Sequence, residues 1–493
     1  MLNTSKSRGG MVTAPHHLAA QAGLDVLREG GTAIEAAVAA LATIAVAYPH
    51  MNGIGGDNFW LIREPGSAPL AIDASGRAAQ AASVRRYREA GWSEMPARGP
   101  WAASTVAGAV SGWQLALEIG RRRGAKLPLA RLLRDAVHYA ANGVPVCRGM
   151  TELLRAKHAE LAAQPGFAAV FLDAAGAPLA PGSVLRQPAL AAVLEALGRN
   201  GLHDFYAGEV AAAIAEDLRA VGSPLSADDL AAHRAVRCEP LSANVRGARL
   251  FNVGPPTQGV ASLMILALFD RLGVAEADGF EHVHGLVECT KRAFELRDAE
   301  VGDPAYMRTD VRDALTDERL DALAAGIDMT RAAPWPTVSN PGDTVWLGCV
   351  DRDGCAVSVI QSVYFEFGSG VVLPSTGIVW QNRGSSFRLA ETGWNALRPG
   401  RKPFHTLNPA MAEFADGRIM CYGTMGGDGQ PQTQAAVFSR YAMFGREPQQ
   451  AVTAPRWLLG RTWGAASTTL KLEDRFAPDV VRRLEAAGHE VEI

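Results

Sequence analysis

The stretch NPGDTVWLGCVDRDGCAVSVIQS, Asn340 to Ser362, sets Thr344 directly behind Pro341-Gly342-Asp343 and at the head of an alternating strand. A threonine hydroxyl is a poor nucleophile unless a base stands beside it. If the bond before Thr344 is cut, its own α-amino group becomes that base, with an ordinary pKa of roughly 7.7–8.0. The chemistry on offer is then attack on an acyl carbon. The same residues also fit a plain strand-start threonine behind an exposed turn, and local sequence leaves both readings open. Gly426-Gly427 in TMGGDGQPQ is a second candidate. Paired glycines behind a strand let main-chain N–H groups approach a reacting oxygen, although alone such a pair reads as a turn. The cluster GIGGD, Gly53 to Asp57, lacks the spacing of a phosphate or dinucleotide loop and reads as a structural turn.

These groups need elements to hold them. The nucleophile candidate heads a hairpin: strands over 345–350 and 356–362 joined by Asp351-Arg352-Asp353-Gly354. Upstream, the spacing predicts a helix over 16–28, stopped at Glu29-Gly30-Gly31, and a second over 33–47 capped by Thr32. A strand is expected at 59–62, helices dominate from 103 to about 221, and SADDLAAH carries a capping box of Ser226 and Asp229. Another long helix covers 281–301. Residues 329–343, with three prolines and no periodicity, read as an exposed loop. Strands at 377–381 and 418–423 and a helix over 432–444 complete the pattern. Helices first, then strands and helices together, predict helix layers around stacked sheet.

At 493 residues and 48% hydrophobic content, the chain can bury a large core. A net charge of −3 gives no sign of a nucleic-acid or membrane partner. Six scattered cysteines without a CxxC pair suit a reduced, metal-free, cytoplasmic protein. The N-terminal stretch has no apolar core of a signal peptide, and the longest apolar run, Ala36 to Tyr48, is too short to span a membrane.

The ordered blocks GMVTAPHHLAAQAGLDVLREGGTAIEAAVAA, PHMNGIGGDNFWLI, PPTQG, AFELRDAEVGDP, GDTVWLGCVDRDGCAVSV, FGSGVVLPSTGIVWQNR and TMGGDGQPQ run nearly the full length. Together they resemble the γ-glutamyltransferase family of N-terminal-nucleophile hydrolases. The resemblance implies an α/β, four-layer αββα sandwich made as a proenzyme. It would cleave itself between Asp343 and Thr344 into a large subunit, 1–343, and a small one, 344–493. No cofactor or metal is implied. The partners implied are a small-molecule amide and the two subunits of one precursor, with a dimer of heterodimers as the assembly allowed for. The resemblance makes Thr344 the nucleophile, Ser362 the hydroxyl that contacts it, and Gly426 and Gly427 the oxyanion donors. A hydroxyl satisfying the backbone at a strand end is the other reading of Ser362.

The departures from the family carry the specificity. Where γ-glutamyl enzymes hold an α-ammonium with Asn, Gln and Asp, this chain has Tyr364, Arg383 and Ser386. Losing the acidic partner and gaining a guanidinium is wrong for an ammonium, because like charge repels it and the compensating anion is missing. The family's Ser-Ser pair for the α-carboxylate becomes His405-Thr406. The family's arginine falls near DASGRAAQ, where Ser75 takes its place and Arg77 lies two residues on. The segment 387–405, where the family keeps a lid, is short, and Val345 replaces the second threonine of the family's start. Arg383, His405 and Thr406, with Tyr364, Ser386 and Arg77, suit a small carboxylate-bearing amide without an α-amino group. This combination is most similar to the family's oxamate amidohydrolase branch, which turns oxamate into oxalate and ammonia in purine catabolism. The alternatives are γ-glutamyl hydrolysis or transfer, acylase action on a dicarboxylic side chain, and an unprocessed binding protein without catalysis.

Overall fold

A computed structural model describes residues 3–122, 124–335, 342–461 and 467–493. Two compact units emerge: Gly9–Cys238 with Asp343–Phe404, and Met1–Arg8 with Glu239–Gly342 and His405–Ile493. Neither unit coincides with 1–343 or 344–493. Each mixes residues from both sides of the expected cleavage point.

The first unit is built on a six-stranded antiparallel sheet. Its order is Gly10–Thr13, Asp343–Asp351, Ala356–Tyr364, Asp57–Arg63, Leu70–Ala74, Val236–Cys238. Every residue of Ala356–Tyr364 is buried, so this strand is covered on both faces. The helix Ala33–Ala47 packs on the two hairpin strands and is buried at all fifteen positions, which explains its run of alanines. Small side chains let the helix and the sheet backbone approach closely. Its start is fixed by the capping box of Thr32 and Glu35, and by the Ala33 N–H donating to Asp351 Oδ2 at 2.9 Å. The hairpin turn and the helix are thereby locked together.

The second unit has a four-stranded antiparallel sheet ordered Ile419–Tyr422, Ala410–Phe414, Ala248–Asn252, Leu241–Val245. The helix Gly259–Arg271 packs on it, and beyond that helix lie Phe280–Glu300 and Gly429–Phe438. Each unit thus contains a sheet and helices against it, the components that the layered expectation requires.

Most expected elements are present. The helices expected over 16–28, 33–47 and 281–301 are found at His17–Arg28, Ala33–Ala47 and Phe280–Glu300. The capping box of Ser226 and Asp229 is formed. Residues 377–381 are not a strand; Val379 and Trp380 make only isolated bridges, to Val372 and Gly55. The main chain there is spent on loop contacts, such as Trp380 N–H to Val371 O and Gln381 N–H to Gly55 O. All six cysteines are free thiols. Among the described residues no helix is long and apolar enough to cross a membrane.

Burial also sets an acid limit. His50, His233 and His282 are held neutral, pushed down by burial to about 3, about 4 and about 3. An unfolded histidine titrates near ~6.5, so each contributes stability that is full above that pH and lost as pH falls toward the folded value. Asp57, raised by burial to about 6, acts with the opposite sign between its ordinary value and 6. His489, likewise pushed down by burial to about 3, adds to them, so four histidines act against the one carboxylate. The unfolding free energy from denaturant titrations between pH 7 and pH 4 is expected to fall steeply, by roughly 1 kcal/mol per histidine per pH unit below 6. A flat profile would contradict this.

Candidate active site

The hairpin places Thr344 inside the sheet. The strand Asp343–Asp351 runs unbroken through the expected cleavage bond, and Gly342 and Thr344 are both buried, Thr344 to 1% exposure. The expectation of a threonine behind an exposed turn is therefore corrected. The pairing with Ala356–Tyr364 begins immediately at Asp343 and draws the bond into the core, while residues 336–341 of the expected loop lie outside the described residues.

Opposite Thr344 the ladder is irregular. Val345 pairs with Gln361 and Asp343 with Tyr364, so Ser362 and Val363 together face the single residue Thr344. This is a β-bulge, a device that re-aims a side chain. Ser362 is 1% exposed, and its Oγ accepts from the Tyr364 N–H at 2.8 Å. Ser362 thus lies across the bulge from Thr344, and its hydroxyl satisfies backbone.

Past the bulge, Tyr364 has φ of 83°, a strained conformation for a side chain of its size. The twist turns its ring under Arg383, whose guanidinium carbon lies 3.6 Å from the ring centroid. Arg383 is 1% exposed. Its Nε and Nη1 are buried without a hydrogen-bond partner among the described residues. Burial lowers its pKa to about 10, with Tyr364 and Asp57 acting against that, so it remains a cation at neutral pH. Asp57 does not neutralise it by direct contact of its Oδ1, which accepts from Gly76 N–H, Gly108 N–H and Gln381 Nε2 at 3.0, 3.0 and 3.1 Å. A buried cation with open donors is costly unless something anionic completes it.

Two expected ligands fall differently. Ser386 is half-buried, and its Oγ donates to the Phe404 carbonyl at 3.2 Å. Arg77 is exposed, with Nη1 on the Gly400 carbonyl at 3.0 Å. Ser75, which stands in the family arginine's place, is committed to Asp73 at 2.5 Å. Charge type in the sequence gave Arg77 its candidacy, and the structure places it at the surface.

In the other unit, His405 and Thr406 are 0% and 1% exposed. The PPTQG turn holds them: His405 N–H donates to Pro256 O at 2.9 Å, and Gln258 N–H to His405 O at 3.0 Å. Thr406 Oγ1 is buried with no partner among the described residues. Gly426 and Gly427 have φ of 105° and 51° and lead into the helix Gly429–Phe438, whose N-terminal dipole favours negative charge. A Cβ on Gly427 would lie 3.1 Å from Gly342 N and 3.2 Å from Gly342 Cα. The main chain two residues ahead of Thr344 therefore runs close against this glycine, and a side chain there would have to push it back by a few tenths of an ångström.

The GIGGD cluster is structural, as expected. A Cβ on Gly55 would meet Val379 O at 2.2 Å, and one on Gly56 would meet Ser362 O at 2.1 Å. Residues given no role from sequence now acquire one: Gln258 and Arg297 touch the loop of Gly427, and Asp57 stands near Arg383. Gln258 and Arg297 lie inside PPTQG and AFELRDAEVGDP, so their presence in those blocks was the only signal. One cluster of metal-ligand types occurs among the described residues, His284, Glu288 and His489. Its atoms already bond within the protein: His284 Nδ1 with His489 Nε2 at 2.8 Å, and Glu288 Oε1 with Lys291 Nζ at 2.6 Å. A groove of about 690 Å³ beside Arg246, Arg249, Asp270 and Arg271 contains none of the candidate residues.

The signature described as Gamma-glutamyltranspeptidase matches residues 19–493. The chain is 55% identical to the oxamate amidohydrolase proenzyme of Klebsiella pneumoniae, over 100% of this chain and 93% of that protein. It is 40% identical to the glutathione hydrolase-like YwrD proenzyme of Bacillus subtilis, over 98% and 91%. Among solved structures, cephalosporin acylase from Bacillus halodurans superposes with a TM-score of 0.90 at 33% identity, over 100% of this chain and 90% of that one. The chain therefore belongs to the gamma-glutamyltranspeptidase family of N-terminal-nucleophile hydrolases and has that family's α/β fold.

Proposed function

We propose that this protein is a self-processing amidohydrolase acting on a small carboxylate-bearing amide, with oxamate as the substrate. The observation that carries the choice of substrate is Arg383: a buried cation stacked on Tyr364, with Nε and Nη1 open. A carboxylate is the charge complement of those donors. An α-ammonium is not, because the position that would supply its acidic partner holds Ser386 and the neighbouring amide position holds the cation Arg383.

In processing, Thr344 Oγ attacks the Asp343 carbonyl carbon. The C–N bond breaks as the C–O bond forms, and water then hydrolyses the ester to release residues 1–343 and 344–493. The freed α-amino group of Thr344 takes the hydroxyl proton in the second reaction. Oγ attacks the amide carbon of the substrate, Gly426 and Gly427 N–H groups stabilise the oxyanion, and the amide nitrogen leaves as ammonia with a proton. Water cleaves the resulting oxalyl ester, giving oxalate and restoring the hydroxyl. The burial of Gly342 and Thr344 supports an intramolecular cut, since an external protease requires an accessible segment. Free cysteines suit a cytoplasmic location for this reaction.

Processed protein incubated with oxamate is expected to release ammonia and oxalate in equal amounts. Faster turnover of a γ-glutamyl anilide than of oxamate would overturn the assignment of substrate.

A further inference from the structure

Behind the paired glycines lies a buried network of a cation and an amide. Arg297, on Phe280–Glu300, is 2% exposed and faces Phe294, 3.7 Å from its ring centroid. Its Nη1 donates to Gln258 Oε1 at 2.9 Å and to Asp428 Oδ1 at 3.0 Å, its Nη2 to Asp428 Oδ2 at 3.4 Å, and its Nε to Asp298 Oδ1 at 2.7 Å. A guanidinium only donates, so it dictates which end of the Gln258 amide faces it: the oxygen. The amide nitrogen must then point the other way. It donates to Thr406 O at 2.6 Å and to Gly427 O at 2.9 Å.

The consequence lies in the peptide planes. In a trans peptide the carbonyl and the following N–H point in opposite directions. The Gly426 carbonyl accepts from Gly429 N–H at 2.7 Å, which turns the Gly427 N–H away from the helix start. The Gly427 carbonyl is held by Gln430 N–H at 3.2 Å and by Gln258 Nε2. Glycines offer little resistance to rotation, so these acceptor contacts, rather than side chains, keep the planes from flipping. Of the contacts on Gly427 O, the one from Gln258 is the shorter and comes from outside the loop.

We infer that Gln258, oriented by Arg297, is a positioning residue: it pins the peptide that follows Gly427. With the Gly429 N–H bond to Gly426 O on the preceding peptide, it holds the Gly427 N–H donor in place from both sides. The inference rests on the reading of Gly426 and Gly427 given under Proposed function. It predicts that one network governs two reactions, since chain cleavage and substrate hydrolysis would share those donors.

Two variants separate its parts. Gln258→Met removes the amide at similar volume, and Gln258→Glu keeps an acceptor for Arg297 but cannot donate to either carbonyl. For both, the first-order rate of precursor splitting and kcat for oxamate are each expected to fall about 10–100-fold, with KM within about threefold of wild type. Asn at the same position, too short to reach both carbonyls, should not restore the rates. Splitting needs no added substrate, so it reports on the network even where oxamate turnover is absent. Wild-type protein that never splits would sink the underlying reading of Thr344 and with it the inference. Wild-type protein that splits, beside a folded Gln258→Met or Gln258→Glu that splits within twofold of its rate, would overturn the inference alone. A change confined to KM would do the same.

Discussion

Thr344→Ala is expected to remain a single chain of 52.2 kDa on denaturing electrophoresis, where the wild type resolves into two fragments, the smaller beginning at Thr344. The reason is geometric and chemical together. The bond before Thr344 is buried, the strand around it is continuous, and a bulge sets Ser362 across from the threonine. On the proposed mechanism the group that attacks the Asp343 carbonyl is the Thr344 hydroxyl. Removing it leaves both the cleavage and the later acyl transfer without a nucleophile. Turnover is expected to drop by on the order of 10⁴-fold or more, since loss of a nucleophile is not compensated by binding groups that remain. Thr344→Ser keeps a hydroxyl and should still split, more slowly. N-terminal sequencing of the smaller fragment checks the position of the cut; a fragment from the alanine variant starting at residue 344 would show that cleavage does not use this side chain.

The second large effect concerns Arg383. Arg383→Met is expected to raise KM for oxamate by about 100-fold or more, because two charge-assisted hydrogen bonds of roughly 1.5–3 kcal/mol each are lost. The same substitution should leave thermal stability unchanged or higher. In the free protein the Arg383 guanidinium is buried with open donors, and methionine removes that desolvation cost while retaining contact with the Tyr364 ring. Opposite signs for stability and affinity are the mark of a residue kept for its ligand. Steady-state kinetics and a melting curve on one preparation test both halves. If the variant melted well below the wild type while KM for oxamate stayed unchanged, Arg383 would be structural.

Much of the local framework was readable from residue pattern. Thr32 with Glu35 and Ser226 with Asp229 announce helix starts because a short hydroxyl and a carboxylate three residues on satisfy donors within the same turn. The hairpin around Asp351 was visible because alternation and a tight turn are local properties. Residues 377–381 misled because a β-branched, apolar run fits a strand equally well as a buried loop, and only the available neighbours decide between them.

For the site, the sequence by itself determined which chemistries are present: a hydroxyl at Thr344, a glycine pair at 426–427, and cationic and neutral donors where an ammonium grip would need an acid. It also determined family membership, because ordered motifs survive divergence as a linear record. Tertiary structure alone decided burial and direction. It put Thr344 inside a strand rather than at an exposed turn, withdrew Arg77 to the surface, and left Arg383 enclosed with open donors. It also joined Arg297 to Gln258 across 39 positions of sequence and thence to Gly427, across 169. Solvation and hydrogen-bond partnership depend on what folds against a residue, and those neighbours are remote along the chain.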